Sequence, residues 1–188
     1  MPFSFGPLEG KIGLNDPEPC WCRILFLGRK ICIFTSDSIM KRIFGQTDIH
    51  QTIWGIRTQI QDSMPFARNW CQYKDPRSIW RQLKSVITYK SDPQDIELLQ
   101  SLPTLLSDNY WGRSGWGDCD CFTIAFTSCC IAKGIPVKIV LCGHRPNEFS
   151  HIYNLVKFNG EWVEADLTQP TFGTAREYKN YKIITIGA

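Results

Sequence analysis

The stretch His151-Ile152-Tyr153-Asn154-Leu155-Val156-Lys157-Phe158, Asn159-Gly160, Glu161-Trp162-Val163-Glu164-Ala165-Asp166-Leu167 decides the fold. Two apolar-alternating runs meet at Asn-Gly, the dipeptide best suited to a two-residue turn that needs positive φ. They predict strands over 151–158 and 161–167, with Phe158 opposite Glu161 and Tyr153 opposite Asp166. Side chains alternate along a strand, so His151 shares the face of Tyr153 and Asp166. Diagonal neighbours of this kind lie roughly 7 Å apart by Cβ and touch through their side chains. The carboxylate can then accept from one imidazole nitrogen and present the other to a thiol.

Upstream, Ser107 to Asp118 forms a Gly-rich loop, and a helix is expected from Cys119 to Lys133. Phe122, Ala125, Phe126, Cys129 and Ala132 make its apolar face. Asp118 is able to cap it, Gly134 sits at the C′ position, and Pro136 prevents continuation. Cys119 thus falls in the first turn, where partial positive charge and free N–H groups favour the thiolate that attacks. Its own N–H can face an oxyanion. Cys121 is a competing nucleophile, but it stands about 200° around the helix and cannot serve the same site. Gln100, Trp111 and Trp116 are candidates for a second oxyanion donor, and the sequence does not choose among them. Val137–Cys142 and Tyr181–Ile186 read as further strands. Helices followed by an antiparallel sheet make the fold α+β.

Farther out the signals are local. Residues 1–20 are rich in Pro and Gly and read as an extended arm. Arg23–Leu27 and Ile31–Thr35 read as strands around Gly28-Arg29-Lys30, and Ser36-Asp37 cap a helix reaching Phe44. Thr47 to Asp62 has helical spacing, a boundary is expected at Ser63-Met64-Pro65, and Asp75-Pro76 opens a helix carrying Ile79, Trp80 and Leu83. A short helix is expected at Ile96–Gln100. The division is therefore 1–62, an arm with hairpin and helices, and 63–188, a core bearing the Cys, His and Asp.

With 188 residues, 43% apolar and 13% aromatic, the chain can bury a sizeable core. A net charge of +3 with scattered Lys and Arg gives no basic stripe, so no nucleic-acid partner is expected. No run approaches a membrane span or a secretion signal, so a cytoplasmic location without membrane association is expected. Nine cysteines without such a signal read as free thiols. Cys142 and His144 can be drawn with Cys119 and Cys121 as a zinc site, but their spacing is unusual for one. No metal or cofactor is expected.

Gly117-Asp118-Cys119-Asp120-Cys121-Phe122, Gly134-Ile135-Pro136, Phe149-Ser150-His151-Ile152-Tyr153 and Gly160 to Thr168 together resemble the transglutaminase-like superfamily. More narrowly, they are similar to short bacteriophage-encoded members. The resemblance spans about residues 76–170. It implies Cys119 as nucleophile, His151 as general base and Asp166 as the third member. The implied fold is a transglutaminase-like or papain-like one, with a Cys-bearing helix packed on an antiparallel sheet that carries His and Asp. The implied chemistry is acyl transfer through a thioester on a protein or peptide. Hydrolysis is the first expectation, amine transfer the second, and a non-catalytic virion or assembly protein the third. A phage-encoded chain would act in the host cytoplasm or in association with the particle. Cys121 departs from the phage pattern, which carries a second Asp there.

Overall fold

The computed structural model describes residues 31–32, 40–44, 49–93, 96–107, 115–146 and 148–186. The expected arm, the strand Arg23–Leu27 and most of Ile31–Thr35 lie outside these residues. In chain order the elements are β1 (Ile31–Cys32), β2 (Met40–Phe44), α1 (Ile49–Trp70), α2 (Pro76–Val86), β3 (Ile87–Tyr89) and β4 (Ile96–Gln100). They continue with α3 (Leu102–Leu105), β5 (Gly115–Gly117), α4 (Cys119–Ala132), β6 (Val137–Gly143), β7 (His151–Phe158), β8 (Glu161–Ala165) and β9 (Asn180–Thr185).

Helices α1, α2 and α3 and strands β4 to β7 all pack on α4. Asp118 precedes it with extended backbone at φ −102° and ψ −160°. Gly134, at φ 68°, ends it. The Ile135 N–H reaches Cys130 O and the Gly134 N–H reaches Ile131 O, both at 2.9 Å. That pair of bonds is the Schellman closure, which satisfies carbonyls the last turn leaves open. Between the ends, every residue from Asp120 to Cys130 is buried. The single apolar face expected from the sequence is thus a minimum, since α1, α2 and the β6–β7 sheet pack around the helix. A helix apolar around most of its circumference is stable only in such a central position.

Strands β8, β7, β6 and β9 form an antiparallel sheet in that order. The β7–β8 turn has Asn159 at φ 51° and Gly160 at φ 86°, as a two-residue hairpin requires. Its register runs from Phe158 opposite Glu161 to Asn154 opposite Ala165. Along β7, Ile152 and Val156 join apolar clusters that include α4 side chains, and Asn154 Nδ2 donates to Thr127 Oγ1 of α4 at 2.8 Å. Tyr153 and Leu155 point to the opposite face, with Val140, Cys142, Ala175 and Tyr178.

The core divides around α4. Trp80 and Leu83 of α2, Leu102 and Leu105 of α3, and Cys121 and Phe126 form one cluster. Ile56 and Ile60 of α1, Leu99, Ile124, Leu141 and Ile152 form the other, with Cys119 against it. Each such aliphatic or aromatic burial stabilises by about 1.5–3 kcal/mol.

Four local expectations are corrected. Met40–Phe44 is a strand, paired antiparallel with β4 and β1, so the helix expected to reach Phe44 does not form there. Ile96–Gln100 is likewise a strand, and a five-residue segment with a pairing partner has little to gain from a helix. Gly115–Gly117 pairs parallel with β3 instead of belonging to the loop. Gly115 allows this, because a Cβ there would lie 1.8 Å from the Leu105 carbonyl oxygen. Helix α1 runs unbroken through Ser63-Met64-Pro65 to Trp70. Pro65 removes one helical donor, yet Ile56, Ile60 and Ala67 bury on both sides of it. Ser63 also donates to Gln59 O at 2.6 Å and accepts from the Leu102 N–H at 2.8 Å. Among the described residues, no helix is long and apolar enough to cross a membrane.

Candidate active site

His151 opens β7 and Asp166 directly follows β8, so the hairpin register brings them to the same end of the sheet. His151 Nε2 and Asp166 Oδ2 are 2.8 Å apart. Asp166 is 1% exposed, and its other oxygen accepts from Thr168 N–H at 2.8 Å and Thr168 Oγ1–H at 2.7 Å. Burial alone would raise its pKa. The hydrogen bond and charge of His151 and the two Thr168 donors outweigh it, holding the carboxyl below its usual range. An ionised Asp166 makes Nε2 the donor, which leaves Nδ1 of a neutral ring with its lone pair.

Helix α2 braces this pair from behind. Trp80 Nε1 donates to Asp166 O at 3.3 Å, and Lys84 Nζ donates to Leu167 O at 2.6 Å. On the other side, Tyr178 stacks on the His151 ring at 5.6 Å and Tyr153 at 6.1 Å. His144 in turn packs on Tyr178 at 4.8 Å. No sequence motif marks these braces. Trp80 was legible only as a core residue of α2, and Tyr178 lies in an irregular segment with no motif.

Cys119 is the first residue of α4 and is half-buried. Its thiol lies beside the backbone N–H of Ile152, the neighbour of His151 in sequence, and its own N–H also faces it. Both donors favour the thiolate, but burial and then the Asp118 carboxylate oppose them and push the pKa up to about 12. This corrects the depression expected from the helix start. A terminal dipole contributes about 0.3–1 kcal/mol at an exposed position and is outweighed by desolvation beside a carboxylate.

Cys121 is fully buried and donates to Leu98 O at 2.9 Å, in the opposite apolar cluster from Cys119. The two thiols therefore diverge, as their helical spacing requires. Gln100 is buried and donates through Nε2 to Trp116 O at 2.9 Å, so that N–H is turned to the β5 backbone. The Trp116 ring carries Lys90 Nζ at 4.4 Å from its centroid. Trp111 lies outside the described residues. The residues considered for zinc do not converge: Cys142 donates to His151 O at 3.5 Å, His144 packs on Tyr178, and Cys121 faces Leu98.

A second group is marked by no motif in the sequence. Asp92, Glu97 and Asp118 bring carboxylate oxygens within 4.8 Å of one another, as do Asp118, Asp120 and the Cys121 sulfur. Burial first, then the charges of Asp118 and Glu97, push Asp92 up to about 7. Asp120 is raised as well, by burial and by neighbours that include Asp118 and Glu97. The sequence signal was thin, since these residues come from three separate segments.

No protein-family model and no curated protein matches the chain. It is similar to a solved structure described as "a Putative Cysteine Protease from Cytophaga hutchinsonii", at 16% identity and a TM-score of 0.40. The match covers 70% of this chain and half of that one. At that distance it carries no argument about activity.

Proposed function

We propose that this chain catalyses cysteine-dependent acyl transfer through a thioester, with hydrolysis of a peptide or isopeptide amide as its reaction. The observation that carries the proposal is the 2.8 Å contact between His151 Nε2 and the buried Asp166 carboxylate, beside a helix that starts with Cys119. A carboxylate saturated by Thr168 and His151 fixes the ring and its tautomer and leaves Nδ1 as the base. The resemblance of residues 76–170 to the transglutaminase-like superfamily supports the same three roles.

The neutral thiol of Cys119 gives its proton to His151 Nδ1 as the sulfur bonds to the substrate carbonyl carbon. The oxyanion meets the Cys119 N–H. The imidazolium, held by Asp166, then protonates the departing amine as the C–N bond breaks. Water, deprotonated by the same ring, cleaves the thioester and restores the thiol. An amine entering instead of water would give cross-linking, the second reaction this site serves. A structural role in assembly, including on a phage particle, is the alternative that needs none of these steps.

The test is incubation with a peptide and isopeptide library, read by mass spectrometry, together with intact-mass analysis of the enzyme. Cleavage with a transient acyl adduct on Cys119 is the expected result. Products that carry an added amine would assign transfer instead. No turnover and no adduct across the library would favour the assembly role.

A further inference from the structure

We propose that Asp92, Glu97, Asp118 and Asp120 form a binding site for a hard divalent cation, calcium by preference. The inference is independent of the acyl-transfer reading. Acidic residues cluster on many surfaces without binding anything, but this group differs in two respects.

Asp120 is 3% exposed, and its Oδ1 has no hydrogen-bond partner. Asp92 Oδ1 and Asp118 Oδ1 are also buried without one. A lone buried carboxylate oxygen without a donor is costly, and the three residues that carry one belong to two acidic groups joined through Asp118, a configuration that a cation would resolve. Asp118 adds a second anomaly. It occupies the N-cap of α4, where an aspartate ordinarily accepts from the helix amides, yet its side chain makes no capping bond. Its carboxylate belongs instead to both acidic groups. Among the described residues, no Lys or Arg forms a salt bridge with any of the four.

The geometry suits a cation of calcium's size. The donor atoms of each group lie within 4.8 Å of one another, and oxygens on opposite sides of a calcium ion, at roughly 2.4 Å each, are separated by about that distance. All four candidate ligands are oxygen donors, which hard cations prefer. The nearby sulfur of Cys121 is already directed at Leu98 O at 2.9 Å. Zinc, which favours nitrogen and sulfur, fits less well. A bound ion would tie the segment carrying Asp92 and strand β4 to the first turn of α4.

The test uses the full chain, freed of metal with a chelator and titrated with calcium chloride by calorimetry, with thermal midpoints measured in parallel. One saturable equivalent is expected, with a midpoint that rises as calcium rises. Magnesium should bind more weakly. Glu97→Gln and Asp92→Asn, both at partly exposed positions, should each weaken binding by about tenfold or more. Asp120→Asn should do the same if it folds, and the exposed Glu177→Gln should change nothing. Absence of saturable binding up to about 10 mM calcium, with no shift of the midpoint, would overturn the proposal. Full-strength binding in the Asp92→Asn/Glu97→Gln double variant would overturn it equally.

Discussion

The Trp80 indole donates to the main-chain carbonyl of Asp166 at 3.3 Å, so a helix far from the hairpin in sequence anchors the residue that orients His151. Trp80→Phe keeps most of the ring packing and removes this bond. It should cost about 1 kcal/mol in urea unfolding, with more lost if the Asp166 carbonyl finds no substitute. Turnover should fall with KM unchanged, because the carboxylate loosens without touching substrate binding. A variant equal to wild type in both measurements would remove α2 from the support of the site.

Cys119→Ala and Cys121→Ala should separate cleanly. The first changes a half-buried side chain at the helix start and should stay within roughly 1 kcal/mol of wild type, with activity abolished. The second removes a fully buried thiol whose partner is Leu98 O, and should cost about 1–3 kcal/mol with activity retained. Thermal midpoints and turnover on the same preparations check both. Activity that survives only in Cys119→Ala would move the nucleophile elsewhere.

Acid should weaken the fold partly through Asp166. Its folded pKa lies below the ordinary value of about 3.9, so its stabilising contribution is complete above that value and disappears as pH falls through the folded one. The stability gap between wild type and Asp166→Asn should therefore be flat at neutral pH and close below about pH 4. Urea midpoints of both proteins from pH 7 to pH 2.5 measure it. A gap that persists unchanged at the acid end would mean the carboxylate's charge contributes nothing.

Glycines at two positions should fail for different reasons. Gly115→Ala drives a Cβ to 1.8 Å from the Leu105 carbonyl and should cost about 3 kcal/mol or separate β5 from α3. Gly134→Ala meets no atom within 4 Å but must hold φ 68°, a strain of about 1–2 kcal/mol. Chemical denaturation of the two variants, side by side, checks the order.

What could be read from the sequence was what short range dictates. The strand period and the Asn159-Gly160 turn set the β7–β8 register, and the 2.8 Å contact of His151 with Asp166 follows from it. Gly134 and Pro136 marked the end of α4 for the same local reason. Met40–Phe44 and Ile96–Gln100 do not show as strands in sequence because each is the other's partner, and neither run states that pairing by itself. The Cys119 thiol follows the same rule. The helix start was visible, but the burial that dominates it comes from chain far removed in sequence. The carboxylates of Asp92, Glu97, Asp118 and Asp120 converge only once β4 lies against α4.

The burial of α4 from Asp120 to Cys130 has a consequence for motion. With helices and sheet closing around it, its central amides have no small opening through which to meet water. They should exchange with deuterium only when the whole fold opens. Cys119 therefore stands one residue before a segment that should be among the last to exchange. Under the proposed acyl transfer, the substrate would approach a helix that stays in place.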